Sequence, residues 1–181
     1  MRNFILTFVF AVISIQASQA QEYNAKLNFA DRQAIVINNA PTVLELSGFN
    51  YGNVYDRSRF RLSTSLSWMN VSDKPISAFE VVILRFDPFN RPIRGGGTWM
   101  VTGQNSGDWR PLGPGEKSGD GLSSYDSEPV LTAIAYVRSI RFNDGTVWTA
   151  DISAITRDIQ SRLPELKELG DVSPEKESKP E

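Results

Sequence analysis

The chain has 181 residues, of which 40% are apolar and 22% charged, and it carries a formal net charge of −2 with neither histidine nor cysteine. That length fits one sizeable core rather than two, and the near-neutral charge offers no footprint for nucleic acid or an anionic membrane. Without histidine or cysteine there is no conventional zinc, haem or copper site, no disulfide and no thiolate chemistry.

The first twenty residues read as a signal peptide. Arg2 supplies a short positive region, Phe4–Ile15 is mostly apolar, and Ser18-Gln19-Ala20 places small residues before an expected cleavage between Ala20 and Gln21. The apolar run is short of the roughly 20 residues that span a bilayer. No stable membrane insertion is therefore expected after cleavage, and the mature chain is expected in the periplasm or outside the cell.

Residues 21–169 read as one domain. Residues 21–30 lead into a candidate edge strand, and Ala34–Ile37 is a short β-prone run ending at the turn signal Asn38-Asn39-Ala40-Pro41. Thr42–Leu46 starts an alternating strand that Gly48–Asn53 is expected to close in a tight loop. In Phe60–Asn70, the residues Phe60, Leu62, Leu66 and Trp68 share one phase while Arg59, Arg61, Ser63, Ser65 and Ser67 take the other, as in a half-buried antiparallel strand. Val71–Pro75 turns the chain. Ile76–Phe86 is apolar on both phases, so one side is expected to meet the core and the other to lie under a helix or loop.

Residues 91–129 are glycine-rich, with short strands expected at Thr98–Thr102 and, weakly, at Gly119–Ser127. Val130–Thr149 then reads as a long strand and a short return strand around Asn143-Asp144-Gly145, a signal for turn residues with φ > 0. On the long strand Ile134, Tyr136, Ile140 and Phe142 share one phase, which Arg138 interrupts. Asp151 can cap a helix whose stripe is Ile152, Ile155, Ile159 and Leu163. That helix is expected to cover a sheet edge or an open end, with a further turn after Pro164 over Glu165–Leu169. Residues 170–181, GDVSPEKESKPE, lack the apolar surface to fold and read as a disordered tail.

Motifs for catalysis are weak. Arg94-Gly95-Gly96-Gly97 lacks the lysine and Ser/Thr of a phosphate-binding loop. Asp87, Asp108, Asp120, Asp126 and Asp144 do not follow the spacing of a calcium-binding loop, and Asp87 and Asp144 fit turn roles. No histidine can activate a serine, and no Gly-x-Ser-x-Gly elbow occurs. No metal or other cofactor is expected. Aromatics are the better lead: Trp99, Trp109, Tyr125 and Phe89, with Arg91, Arg94 and Arg110, are candidates for a ligand-binding surface on the irregular middle region, where ring faces would sit beside polar donors. Tyr51 and Tyr55 could join it, whereas Trp68 and Trp148 belong to regular strands and fit the core. Asn70-Val71-Ser72 is an N-glycosylation sequon at an expected turn.

The segments NVSDKPI (Asn70–Ile76), EVVILRFD (Glu80–Asp87) and RFNDGTVWTAD (Arg141–Asp151) together resemble small exported bacterial domains of immunoglobulin-like or fibronectin-like form. In such domains an Asn-x-Ser/Thr-x-Lys-Pro-Ile segment joins two sheet strands and a later Pro-Gly turn precedes more strands, which Leu112-Gly113-Pro114-Gly115-Glu116 fits. The resemblance spans residues 42–151 and implies an all-β, immunoglobulin-like antiparallel β-sandwich, here with a C-terminal amphipathic helix. It supplies no ligand or catalytic residue, and the Cys-Trp-Cys arrangement of antibody-type domains is absent. The function expected is a noncatalytic binding or accessory module for an envelope protein or polysaccharide. The alternatives are a protein-assembly factor using an exposed sheet edge and, third, a carboxylate-dependent glycoside hydrolase.

Overall fold

Strand by strand, the alternation becomes two sheets. The computed structural model describes residues 33–56, 59–93, 97–102, 110–124 and 130–172, with the backbone alone for 53–56, 59–62 and 122–124. The expected signal peptide, the edge strand at 21–30 and tail residues 173–181 lie outside the described residues. So do Arg94, Trp109 and Tyr125, as does the side chain of Tyr55.

One sheet has three antiparallel strands, β2 (Leu44–Asp56), β3 (Arg59–Asn70) and β6 (Lys117–Ser124), with β3 in the middle. The other has five strands. Its order is β1 (Gln33–Ile37), β7 (Thr132–Phe142), β4 (Ile76–Phe86) and β5 (Thr98–Thr102), and β8 (Val147–Thr149) also pairs with β7. The expected antiparallel sandwich needs one correction, because β1 runs parallel to β7, from Gln33↔Thr132 to Ile37↔Tyr136. A parallel pair requires a long crossover, which the whole stretch from β2 to β6 provides.

Two apolar clusters lie on opposite faces of the five-stranded sheet. Phe79, Val81 and Ile83 of β4 and Ala133, Ala135 and Val137 of β7 pack with Leu44, Leu46, Leu66 and Trp68 of the three-stranded sheet. Val82, Leu84 and Phe86, with Ile134 and Tyr136, face the other way and pack under α1 (Ile152–Arg162). That double burial is why β4 reads as apolar on both phases. Both clusters draw on the same two central strands, β4 and β7.

Three bulges reset the strand phases. On β7, Glu80↔Ser139 is followed by Val81↔Val137, so Arg138 is the additional residue. Ile140 and Phe142 therefore join the cluster with Ala133, Ala135 and Val137 instead of sharing a face with Ile134 and Tyr136. A one-residue insertion moves every following side chain to the opposite face. On β2 the shift between Ser47 and Asn50 carries the strand through Gly48 where a closing loop was expected, and Phe49 and Tyr51 continue the buried row. The third shift lies between Ile76 and Ala78, at the start of β4.

The hairpin between β7 and β8 closes with hydrogen bonds from Gly145 N to Phe142 O and from Phe142 N to Thr146 O. Of its three turn residues, only Gly145 has positive φ, 86°, so the turn follows the pattern of a type I turn followed by a left-handed glycine. Beyond it, Asp151 caps α1, its carboxylate accepting from the Ser153 and Ala154 amides at 2.9 and 3.2 Å. Ile155 and Ile159 are buried against the outer face of the five-stranded sheet, so the helix covers a face and not an edge or an end. After Leu163 the chain turns at Pro164 without a second helical turn. It continues as a strap whose Leu166 and Leu169 are buried in the same cluster. The Tyr136 hydroxyl donates to Val172 O, which places residues 170–172 on the domain instead of in the tail. Among the described residues no helix is long and apolar enough to cross a membrane.

Candidate binding surface

The described members of the expected aromatic surface do not converge. On β5, Trp99 and Val101 alternate inward with Met100 outward, and Trp99 is only 8% exposed. Its ring meets Trp68 edge-on at 6.1 Å, and Trp68 in turn meets Phe79 at 5.1 Å. Trp99 is thus a core residue, on the same inward face as Val101. Trp68 shares that core, and its indole N–H has no acceptor among the described residues. Tyr51 is also buried, tilted against Phe49 at 6.2 Å, so it does not join an exposed surface.

Phe89 and Arg91 do come together. They sit on a tight turn after β4, where the Asp87 carboxylate accepts from the Phe89 and Arg91 amides at 2.8 and 3.0 Å. Its second oxygen takes Nε and Nη2 of Arg91 at 2.8 and 2.7 Å. Burial alone would raise the Asp87 pKa, but hydrogen bonds from Arg91 and Phe89 outweigh it and hold the carboxyl below its ordinary value. The guanidinium lies over the Phe89 ring at 4.9 Å, and the ring remains 64% exposed. Asn90 holds φ of 59°, within reach of an asparagine, and closes the turn through its N–H to Asp87 O.

Arg110 is elsewhere. It pairs with Glu116 at 2.8 Å beside the Gly113–Glu116 turn, and that turn is joined to the start of β4 by the Ile76–Leu112 bridge. Phe89 follows the opposite end of β4. An eleven-residue strand separates the two positions by about 30 Å, so they cannot share one small ligand.

The sequon at Asn70 also proves structural. Asn70 is fully buried, and its amide nitrogen donates to Lys74 O at 2.8 Å and Leu112 O at 2.9 Å. Its oxygen accepts from the Ser72 amide and hydroxyl at 3.0 and 2.7 Å. Both amide hydrogens are used, so the side chain is not open to modification in the fold. The same crossover is tied to the β7–β8 hairpin by Lys74 Nζ and Asp144 Oδ2, 2.8 Å apart.

A surface that the sequence did not single out lies on the outer face of the three-stranded sheet. There a cleft of about 310 Å³ is lined by Ser47, Ser67, Gly119, Glu45, Met69 and Lys117, together with Trp68 and Ser118. The register explains the grouping: Glu45↔Met69↔Lys117 and Ser47↔Ser67↔Gly119 form two successive rows across the sheet. A Cβ on Gly119 would stand 3.0 Å from Leu66 O and 3.1 Å from Ser67 Oγ, so glycine is what lets β6 lie this close to β3. The cleft offers hydroxyls, one carboxylate, one ammonium and a thioether. That set can bind and orient a polar ligand. Among the described residues that line it, Glu45 is the one carboxylate, whereas glycoside hydrolysis uses two. The alternation of serines on β3 was the available signal, but serines on an outward phase read equally well as a solvated face.

No family model and no curated protein matches the chain. Among solved structures, a hypothetical protein from Peptoclostridium difficile 630 is similar over 65% of this chain and 90% of its own, with 17% identity and a TM-score of 0.47. A putative ApaA protein from Bordetella pertussis is similar over 59% of this chain and 87% of its own, with 12% identity and a TM-score of 0.34. These are weak likenesses and carry no functional residue to this chain.

Proposed function

We propose that this protein is an exported, noncatalytic binding or accessory module of the cell envelope, built on an immunoglobulin-like or fibronectin-like sandwich and serving a polysaccharide or protein partner. The observation that carries the reading is the open cleft on the three-stranded sheet, across which Ser47, Ser67 and Gly119 form a row of small residues. Ser47 and Ser67 offer hydroxyls that both donate and accept, suited to the hydroxyl groups of a glycan or the backbone of a protein segment. The Phe89 tip, held rigid by Asp87, is a second contact surface on the same module, since an ordered aromatic loses little freedom on binding. The signal-like N-terminal segment supports the exported part of this reading.

The test is a titration of the mature chain with soluble envelope polysaccharide fragments and with solubilised envelope proteins. Two variants accompany it, Ser67→Trp, which fills the cleft, and Phe89→Ser, which removes the tip. At least tenfold weaker binding is expected from Ser67→Trp, with the fold intact by circular dichroism. Equal binding by Ser67→Trp and wild type, or no binding by wild type to either class, rejects the cleft as the site. A loss confined to Phe89→Ser moves the site to the tip.

A further inference from the structure

The two charges of the cleft narrow its ligand class, an inference that rests on the cleft being the binding site. Glu45 on β2 and Lys117 on β6 are in register with the same residue, Met69 on β3, and so project from one face of the sheet across a single intervening strand. Both are exposed, and among the described residues neither forms an ion pair or a side-chain hydrogen bond. Several other cations of the domain are committed: Lys74, Arg91, Arg110 and Arg162 each lie within 2.9 Å of a carboxylate.

Two strand spacings separate the anchoring backbones, about 10 Å. Glu45 and Lys117 are anchored that far apart and do not pair with each other, and Ser47 and Ser67 lie in the adjoining row. We infer that the cleft takes a short zwitterionic chain, its ammonium against Glu45 and its carboxylate against Lys117. Three extended residues span about 10 Å, so a tripeptide with free termini matches the separation. A ligand with one charge would pair with only one side, and a neutral sugar with neither.

Triglycine is the probe, followed through the backbone amides of Ser47, Ser67 and Gly119 by two-dimensional NMR of the full mature chain. Saturable shifts at these amides are expected. Blocking either terminus, as N-acetyl-triglycine or triglycinamide, should weaken binding about threefold, the scale of one exposed ion pair. Diglycine and tetraglycine should bind more weakly than triglycine.

The assignment of charges is tested by crossing ligands with variants. Glu45→Gln should weaken triglycine about threefold yet leave N-acetyl-triglycine unaffected, because the ammonium it would face is already gone. Lys117→Gln should behave likewise towards triglycinamide. If each variant weakens blocked and free ligands equally, the charge pairing is wrong. If polysaccharide fragments shift these amides and triglycine does not, the zwitterion inference falls while the cleft reading stands. If triglycine, polysaccharide fragments and solubilised envelope proteins all fail to shift them, both fall.

Discussion

Asn70 shows how much one buried amide can organise. Its four hydrogen bonds join the β3–β4 crossover to the Leu112 turn, and both ends of that contact lie in the core cluster or at its border. Asn70→Ala would leave the Ser72 amide without its acceptor and remove one of the donors serving Leu112 O, which keeps its bond from Ile76 N. Leaving such groups unsatisfied costs about 1–3 kcal/mol. Asn70→Asp should be worse than alanine despite equal size, because a carboxylate cannot donate to Lys74 O or Leu112 O and would face both. Urea denaturation of the three proteins gives the order, and an aspartate variant as stable as wild type would refute this role. The sequence alone marks Asn70 only as a sequon in a turn. Its burial depends on Leu112 arriving from 42 positions further along the chain.

At the scale of elements, the regular patterns were legible and the irregularities were not. The alternation of β3, the double-sided apolarity of β4 and the Asp151-capped stripe of α1 each translate directly into burial. The bulge at Arg138 and the shift near Gly48 were not legible as bulges, because an inserted residue is identified only by the partner strand it fails to match. Trp99 is a different case: its phase with Val101 was readable, but alternation over five residues does not say which phase turns inward. The strap after α1 was hidden for a third reason: Leu166 and Leu169 continue the spacing of the helical stripe past Pro164, but the chain leaves the helix there and the sheet face beneath buries them as a strap. Gly170 fixes the end of that strap, with φ of 71° and a would-be Cβ only 2.9 Å from Cβ of Pro92. Gly170→Ala should therefore cost about 1–2 kcal/mol from the backbone alone. Ile159→Ala, which opens a cavity beneath the helix, should cost about 2–5 kcal/mol. Thermal melts would check both, and an unchanged Gly170→Ala melting temperature would mean that the strap is not held at Pro92.

The molecule as a whole has an unusual pH behaviour written into its composition. With no histidine and no cysteine, no side chain of ordinary pKa titrates between about pH 5 and 8. The shifted groups lie outside that window. The hydrogen bond from Lys74, then those from Thr146, hold the Asp144 carboxyl below its ordinary value of 3.8, and Asp87 is also lowered. A carboxyl with a depressed folded pKa contributes stability above its unfolded pKa and loses it as pH falls through the folded one, so these groups act on the acid side, below about pH 4. Lys74 is raised above 10.5 by its hydrogen bond to Asp144, and that contribution is present below 10.5 and lost as pH rises through the raised value. Burial likewise raises the Tyr136 hydroxyl well above its ordinary 10.0, so stability also declines on the alkaline side from about pH 10. Stability should thus be nearly flat from about pH 5 to 9, apart from any contribution of the α-amino group, and fall at both ends. Melting temperatures across this range measure it. Asp144→Asn should lower the plateau and flatten part of the acid limb, while Tyr136→Phe should flatten part of the alkaline limb. A steep slope between pH 6 and 8 in the wild type would mean that a group outside these pairs controls the fold.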